Sequence, residues 1–461
     1  GDFDGDGDVD VVMGSSRMYR NEGHGEFKDV SRASLPWQSV WVVSLAVGDV
    51  DGDRDLDLVL GARGTQNRLY LNDGKGKFSD RTTLLPKDSD LTCSVSLGDM
   101  DRDGDLDLVL GNRGTQNKLY LNDGKGRFAD VSFVTMPPDT DPTAEIDLAD
   151  VDGDGDLDMV LANGANNPVL QSGQNKLYIN QGLRFRDLTA TNMPKAIDPT
   201  LGVAVADFDG DKDLDLFFGN GGPWRARGQQ NRLYLNDGKG RFSDATSTLL
   251  PRDTDQTESI AVGDIDEDGD VDIVYGQYAL LLLSGRPVTV LLNNGKGKLQ
   301  DSTVARLGNA PLLHGPARVT LADLDRDGDP ELLLQSWPLW NLHRHVWGDS
   351  LARLGHDYVL DFYAEPGYAK NPIAAVPWLS LAELKPGIPA PPFGLFRLNP
   401  ALMVSVPPVV ISWPGKATLR LPLPNVAALK GRTLFTQALF LHSSKPAGWR
   451  LSNVIADTVI R

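Results

Sequence analysis

One nine-residue pattern, with an acid at every odd position, recurs seven times in this 461-residue chain. It reads DFDGDGDVD from Asp2, DVDGDRDLD from Asp49, DMDRDGDLD from Asp99 and DVDGDGDLD from Asp150. It continues as DFDGDKDLD from Asp207, DIDEDGDVD from Asp264 and DLDRDGDPE from Asp323. Successive copies start 47, 50, 51, 57, 57 and 59 residues apart. A steady period of this length implies a repeat architecture, in which each unit buries its apolar face only against its neighbours.

Every copy after the first sits in the same context. An alternating run such as SVSLGD precedes it, and a run such as DLDLVLG follows it. Then comes QNRLYLNDGKGKF from Gln66, with near-copies from Gln116, Gln174 and Gln230. Asn, Asp and Gly tolerate positive φ, so the Asn-Asp-Gly and Gly-Lys-Gly steps are hairpin chemistry. A short last strand leads into a link rich in Pro, Asp and Thr, as in LLPKDSDLT. The unit is four short strands, which predicts a propeller blade. Helical periodicity is nearly absent through residue 350, so the expected fold over 1–350 is all-β, built from such blades.

Oxygen ligands at alternate positions of a tight loop suit a hard cation. Side chains at positions one, three and five are the expected donors. These are Asp2, Asp4 and Asp6; Asp49, Asp51 and Asp53; Asp99, Asp101 and Asp103; Asp150, Asp152 and Asp154. The later copies supply Asp207, Asp209 and Asp211; Asp264, Asp266 and Asp268; Asp323, Asp325 and Asp327. Position seven (Asp8, Asp55, Asp105, Asp156, Asp213, Asp270, Asp329) is expected to give its backbone carbonyl. Position nine (Asp10, Asp57, Asp107, Asp158, Asp215, Asp272, Glu331) closes the shell. The seventh copy is the weakest, with Pro330 intruding and Glu331 in place of Asp. Calcium fits better than magnesium, which prefers a rigid octahedron and keeps its waters. An EF-hand would need Glu at position twelve and flanking helices; Leu60 and Leu110 stand there, between strands. A dockerin-type loop would also want an acid at that position.

The charge balance agrees. The loops hold 35 of the 63 acids, and the net charge is −18, which seven calcium ions would take to −4. A chain this acidic is a poor ligand for nucleic acid or anionic membrane. Extracellular calcium modules bind at ~10⁻⁴–10⁻³ M, so calcium near 1 mM would stabilise by roughly 0.4–1.4 kcal/mol per site, and by ~3–10 kcal/mol for seven. Sites this weak would stay empty in cytosol. The expectation is therefore an extracellular or cell-surface chain with structural calcium.

These residues resemble the FG-GAP/VCBS repeats of the integrin α-subunit head and of many bacterial secreted proteins. The resemblance covers residues 1 to about 350 and rests on the repeated DxDxDGDxD loop and the NxLYLNxGxGxF hairpin. It implies a seven-bladed β-propeller with calcium between the first and second strands of each blade. It carries over no ligand, and no inserted metal-dependent adhesion domain is present.

Composition changes after residue 350. Residues 351–461 hold 11 Lys or Arg and 5 acids, a net of +6, against −24 for residues 1–350. The runs YVLDFYAEP, ATLRLPLP and TLFTQALFLH alternate, which predicts a small antiparallel β-sandwich over 351–461. The phrases GLFRLNPALM and LPLPNVAALKGRTLFTQALFL, with RLSNV near the end, resemble C-terminal domains of exported proteins of planctomycete-like bacteria. The first loop lacks the strand that precedes every other, so blade one begins at its second strand. The start at Gly1, inside an acidic motif, reads as a processed or trimmed product with its signal peptide outside this chain. Three sources could complete blade one: a lost N-terminal segment, a segment of the seventh blade or C-terminal domain, or a neighbouring chain. An acidic propeller and a basic sandwich favour head-to-tail contact, which builds filaments when it does not close.

No catalytic motif stands out. His24, His314, His343, His345, His356 and His442 form no His-Glu-x-x-His pattern, and no Gly-x-Ser-x-Gly is present. His343 and His345 flank Arg344 and share one strand face. Cys93, the single cysteine, reads as a buried inert thiol. Trp37 and Trp41 flank the link into blade two, Trp224 lies in an expanded loop, and Trp337, Trp340 and Trp347 crowd the end of the propeller. No hydrophobic stretch is long enough to span a membrane. The expected function is a non-enzymatic structural or adhesion protein that binds calcium outside the cell. Its expected partners are itself, as a homo-polymer, or a cell-surface or matrix protein or glycan. The alternative is a lectin-like glycan- or protein-binding propeller; a calcium-dependent polysaccharide lyase ranks below. The links repeat Pro, Asp and Thr without an aromatic, which counts against the lectin.

Overall fold

The computed structural model describes residues 1–14, 17–22, 27–37, 40–164, 173–221, 228–265, 268–279, 288–303, 315–316, 318–324 and 330–334, and backbone strands between 337 and 458. The chain forms two compact units. The first is Gly1–Thr303 with Ala310–Trp337, and the second is Val304–Asn309 with Pro338–Arg461.

The first unit is a series of antiparallel sheets, each a meander in chain order. The third repeat is typical: Thr92–Gly98, Asp107–Asn112, Lys118–Asn122 and Phe128–Asp130. Equivalent sheets begin at Val42–Gly48, Thr143–Ala149, Thr200–Ala206 and Thr257–Gly263. The first sheet has three strands, Val11–Met13, Arg17–Asn21 and Phe27–Asp29. Val319–Ala322 pairs with Glu331–Leu334 in the last. The acidic loop joins the first strand to the second, so it lies at the same end of the sheet as the hairpin between the third and fourth.

The second strands Asp57–Ala62, Asp107–Asn112, Asp158–Asn163 and Asp215–Asn220 are buried at every residue. Continuous apolar runs of this kind belong to strands covered on both faces. The covering comes from the next sheet. Val50, Val59 and Leu69 pack with Val95, Leu108, Leu110, Tyr120 and Phe128. The same packing repeats between the following sheets, as in Val160 and Leu177 with Leu216 and Phe218. This face-to-face succession is a β-propeller, with the first strands innermost.

Inner strands present an edge whose N–H groups need partners. The preceding sheet supplies them from one side-chain position. Ser44 Oγ accepts Val95 N–H at 3.1 Å, Ser94 Oγ accepts Ile146 N–H at 3.1 Å and Ser259 Oγ accepts Val319 N–H at 3.1 Å. At the fourth sheet Glu145 takes this position and accepts Val203 N–H at 2.9 Å.

A second set of ties is asparagine-based. Asn72 Nδ2 donates to Phe3 O at 2.8 Å, Asn122 to Val50 O at 2.8 Å, Asn180 to Met100 O at 3.0 Å, Asn236 to Val151 O at 2.8 Å and Asn293 to Phe208 O at 2.7 Å. Each runs from the third strand of one sheet to the acidic loop of the sheet before it. Asn21 makes the equivalent bond to Leu324 O at 2.7 Å, and so joins the first sheet to the last.

The links do structural work that their composition did not disclose. Asp139 Oδ2 accepts Asn117 Nδ2 at 3.2 Å from the sheet before and Tyr178 Oη at 2.7 Å from the sheet after. Asp88 bridges Asn67 and Tyr120 in the same way, and Asp253 bridges Asn231 and Tyr275. The link before Tyr70 carries no Asp, and the Tyr70 hydroxyl is buried without a hydrogen-bond partner among the described residues. Asp139→Ala would strip the acceptor from the Tyr178 hydroxyl and from one N–H of Asn117, whose Nδ2 keeps only Thr143 Oγ1 at 3.0 Å. It is expected to cost about 2–4 kcal/mol, read as a lowered denaturation midpoint.

Short helical turns appear where the sequence predicts strand and link only: Ser31–Ser34, Ser132–Thr135, Thr189–Asn192 and Thr246–Leu249. An Asp-x-Ser/Thr step starts each one. Asp130 accepts Ser132 N–H at 3.0 Å, and the Ser132 hydroxyl accepts Leu119 N–H at 2.9 Å. Cys93 differs from expectation: it is half-buried, its Sγ 3.6 Å from Leu91 O, and it sits at the register shift between Thr92 and Ser94, where it has no cross-strand partner.

In the second unit each alternating run falls on a strand. Asp357–Tyr363 pairs antiparallel with Lys416–Pro422, and Ile373–Ser380 with Thr433–His442. His24, His314, His343, His345, His356 and Trp224 lie outside the described residues, as do the side chains of Trp337, Trp340, Trp347 and His442.

Candidate metal centres

The acidic loops fold around their own first residue. Asp49 Oδ1 accepts Gly52 N–H at 2.8 Å, and its Oδ2 accepts Arg54 N–H at 2.8 Å. Asp2, Asp150 and Asp207 make the same pair of turns, while Asp99 and Asp264 keep the Oδ2 bond to position six but accept at Oδ1 the N–H of position five, Asp103 and Asp268. Position five pins position seven: Asp6, Asp53, Asp103, Asp154, Asp211 and Asp268 accept the N–H of Asp8, Asp55, Asp105, Asp156, Asp213 and Asp270.

This winding brings carboxylates together. In each of five loops, one oxygen from each of three acids lies within 4.8 Å of the others: Asp2, Asp4 and Asp6; Asp49, Asp51 and Asp53; Asp99, Asp101 and Asp107; Asp150, Asp152 and Asp158; Asp207, Asp209 and Asp215. The donors are all oxygen, the chemistry of a hard cation. Asp51 Oδ1 is buried without a hydrogen-bond partner among the described residues, as a free ligand atom would be. In the sixth loop Asp264, Asp268, Asp270 and Asp272 are described and Asp266 is not. In the seventh, Asp323 is described, while Asp325, Asp327, Asp329 and the Glu331 side chain lie outside the described residues.

The electrostatics of these loops favour a nearby cation. Burial pushes the carboxyls of Asp57, Asp158 and Asp215 up to about 7 and that of Asp107 up to about 6, against two backbone N–H donors to each. Burial, then the neighbouring position-five carboxylate, raises Asp51, Asp101, Asp152 and Asp209 above the usual carboxylate range. A cation among such groups favours their charged form.

Position nine also braces the backbone. Asp107 Oδ2 accepts Met100 N–H at 2.9 Å and its Oδ1 accepts Asn122 N–H at 2.9 Å, fastening the loop to the third strand. Asp10, Asp57, Asp158, Asp215 and Asp272 repeat both bonds. Position-seven side chains turn the other way: the Asp55 carboxylate packs on the hairpin backbone at Gly74, where a Cβ would come within 2.5 Å of it.

Six segments match the FG-GAP-like repeat family: residues 2–60, 49–110, 99–161, 167–218, 224–275 and 277–334. The chain belongs to this family. The matched segments together contain all seven acidic loops, and the FG-GAP-like match agrees with the propeller arrangement of the first unit. No curated protein matches the chain. Among the described residues no helix is long and apolar enough to cross a membrane.

Proposed function

We propose that the chain is a calcium-stabilised, non-enzymatic scaffold that works outside the cell. In this reading seven blades close into one ring through the bond from Asn21 to Leu324. The convergence of three carboxylates within 4.8 Å in each of five loops carries the calcium assignment. Calcium at the affinities of extracellular modules requires millimolar supply, which places the protein outside the cytosol. The loop acids serve the cation and the backbone, so they are not free to act as acid and base. The second unit, with antiparallel strands throughout its described pairings, is taken as a β-sandwich.

The charge contrast of −24 against +6 supports head-to-tail self-assembly as the structural role. Light scattering of the full chain in millimolar calcium, repeated after chelation, tests it. Regular polymers that dissociate on chelation are expected; a stable monomer in calcium would sink the assembly and leave binding of another partner. One observation favours that second role. Trp37 and Trp41 are 91% and 69% exposed, and the Arg63 guanidinium lies 5.4 Å from the Trp41 ring. Such aromatics stack on glycans or anchor proteins.

A further inference from the structure

Four of the acidic loops carry glycine at position four: Gly5, Gly52, Gly153 and Gly210, all at positive φ. Each faces the hairpin of the next blade. An added Cβ on Gly52 would stand 3.2 Å from Gly124 O, and one on Gly210 would stand 3.1 Å from Gly295 O. The third, sixth and seventh loops carry Arg102, Glu267 and Arg326 there instead, and the third stands apart in two ways. Position four is Arg102, held at φ 62 in the left-handed region that L side chains avoid. The next blade's hairpin is also one residue shorter, Asn180-Gln-Gly-Leu-Arg-Phe185 against Asn122-Asp-Gly-Lys-Gly-Arg-Phe128. It lacks the second glycine, which elsewhere packs on the preceding loop: a Cβ on Gly126 would stand 3.5 Å from Asp51 Cβ.

Arg102 crosses to the fourth loop. Its Nη2 donates to Asp154 O at 2.8 Å, and its Nε to Gly155 O at 3.0 Å. The same Nε lies 2.6 Å from Asp156 Oδ1. These contacts hold positions five, six and seven of the fourth loop. Arg102 itself stands between Asp101 and Asp103, two expected donors of the third. We propose that Arg102 is a strut coupling the two loops, so that filling the third with a divalent cation orders the fourth and raises its affinity. This rests on the calcium reading above.

The coupling follows from ordering. A cation on Asp99, Asp101 and Asp107 fixes the backbone at Arg102, and a fixed guanidinium pre-arranges the Asp154–Asp156 turn. The second cation then binds a loop already ordered in part. Repulsion between guanidinium and cation works against this, but the Arg102 side chain is 51% exposed and water screens it.

Hydrogen exchange of the full chain through a calcium titration tests the strut, reading segments 99–107 and 150–158. Asp101→Asn disables the third loop. With Arg102 present, it is expected to raise the calcium midpoint for protecting 150–158 by about fivefold, the low end of measured couplings. With Arg102→Gly, which also relieves the left-handed strain, the same change is expected to leave that midpoint unmoved. An equal shift in both backgrounds, or none in either, overturns the strut while loops elsewhere still gain protection. If calcium protects no loop at all, the calcium reading fails and the strut falls with it. Arg102→Lys keeps the charge without the fork and is expected to behave like glycine; a full fivefold shift there would overturn the hydrogen-bonded coupling.

Discussion

Removing calcium from the full chain at pH 7.5 is expected to lower its thermal midpoint by about 6–20 °C. Under the proposed reading, seven sites at millimolar calcium would supply ~3–10 kcal/mol by mass action, and a unit of this size shifts by about 2 °C per kcal/mol. The pH dependence gives the assignment its sharper test. The folded carboxyls of Asp57, Asp158 and Asp215 lie at about 7 and that of Asp107 at about 6. In the unfolded chain they return to about 3.9. Groups raised on folding stabilise fully below the unfolded value and lose that contribution as pH rises through the folded one. The chelated chain is therefore expected to grow less stable from pH 5 to 7.5. Calcium needs the same groups ionised, so the calcium-induced shift is expected to grow across that range. Calorimetry at three pH values, with and without chelator, measures both trends. A calcium shift that stays flat or shrinks toward pH 7.5 would reject these carboxylates as the cation's ligands.

Much of this was legible because the repeat states its own geometry. An acid at every odd position of DVDGDRDLD, between two apolar runs, permits a loop between paired strands and little else. The all-β class follows from the same period. Three devices were harder to see, because each acts through one or two polar residues rather than a pattern of hydrophobicity. The link residues Asp88, Asp139 and Asp253 look like solvated turn chemistry until Asn and Tyr from two different sheets meet on one carboxylate. The Asp-x-Ser/Thr step recurs at Asp29, Asp80, Asp130, Asp187, Asp244 and Asp301. That period was available, and it marks the hydroxyl that accepts a third-strand N–H in six of the repeats. Arg102 is different in kind: its partner is a deletion in the next repeat, and only the juxtaposed loops reveal it. The bond from Asn21 to Leu324 spans 303 residues of sequence and is likewise a property of the ring rather than of either segment.

Asp107→Ala is expected to destabilise the chain by about 3–6 kcal/mol even in chelator, where any calcium term is already gone. Asp107 is fully buried, and its two oxygens accept Met100 N–H and Asn122 N–H. Alanine offers neither acceptor, so both amides are left dry and unpaired, and hydrogen bonds to a charged group are worth ~1.5–3 kcal/mol each. The loss is not confined to one loop. Asn122 also donates through Nδ2 to Val50 O of the preceding sheet, so freeing its backbone loosens an inter-sheet tie. Asp101→Asn makes the contrast, since Asp101 accepts the N–H of Asp103 at 3.2 Å within its own loop and ties no strand. It is expected to cost little in chelator and to reduce only the calcium-dependent stabilisation. Denaturant midpoints of the two variants, each with calcium and with chelator, separate a brace from a ligand. If Asp107→Ala matched the native chain in chelator, position nine would be a ligand alone, and the loop would owe its shape to the cation rather than to the strands beside it.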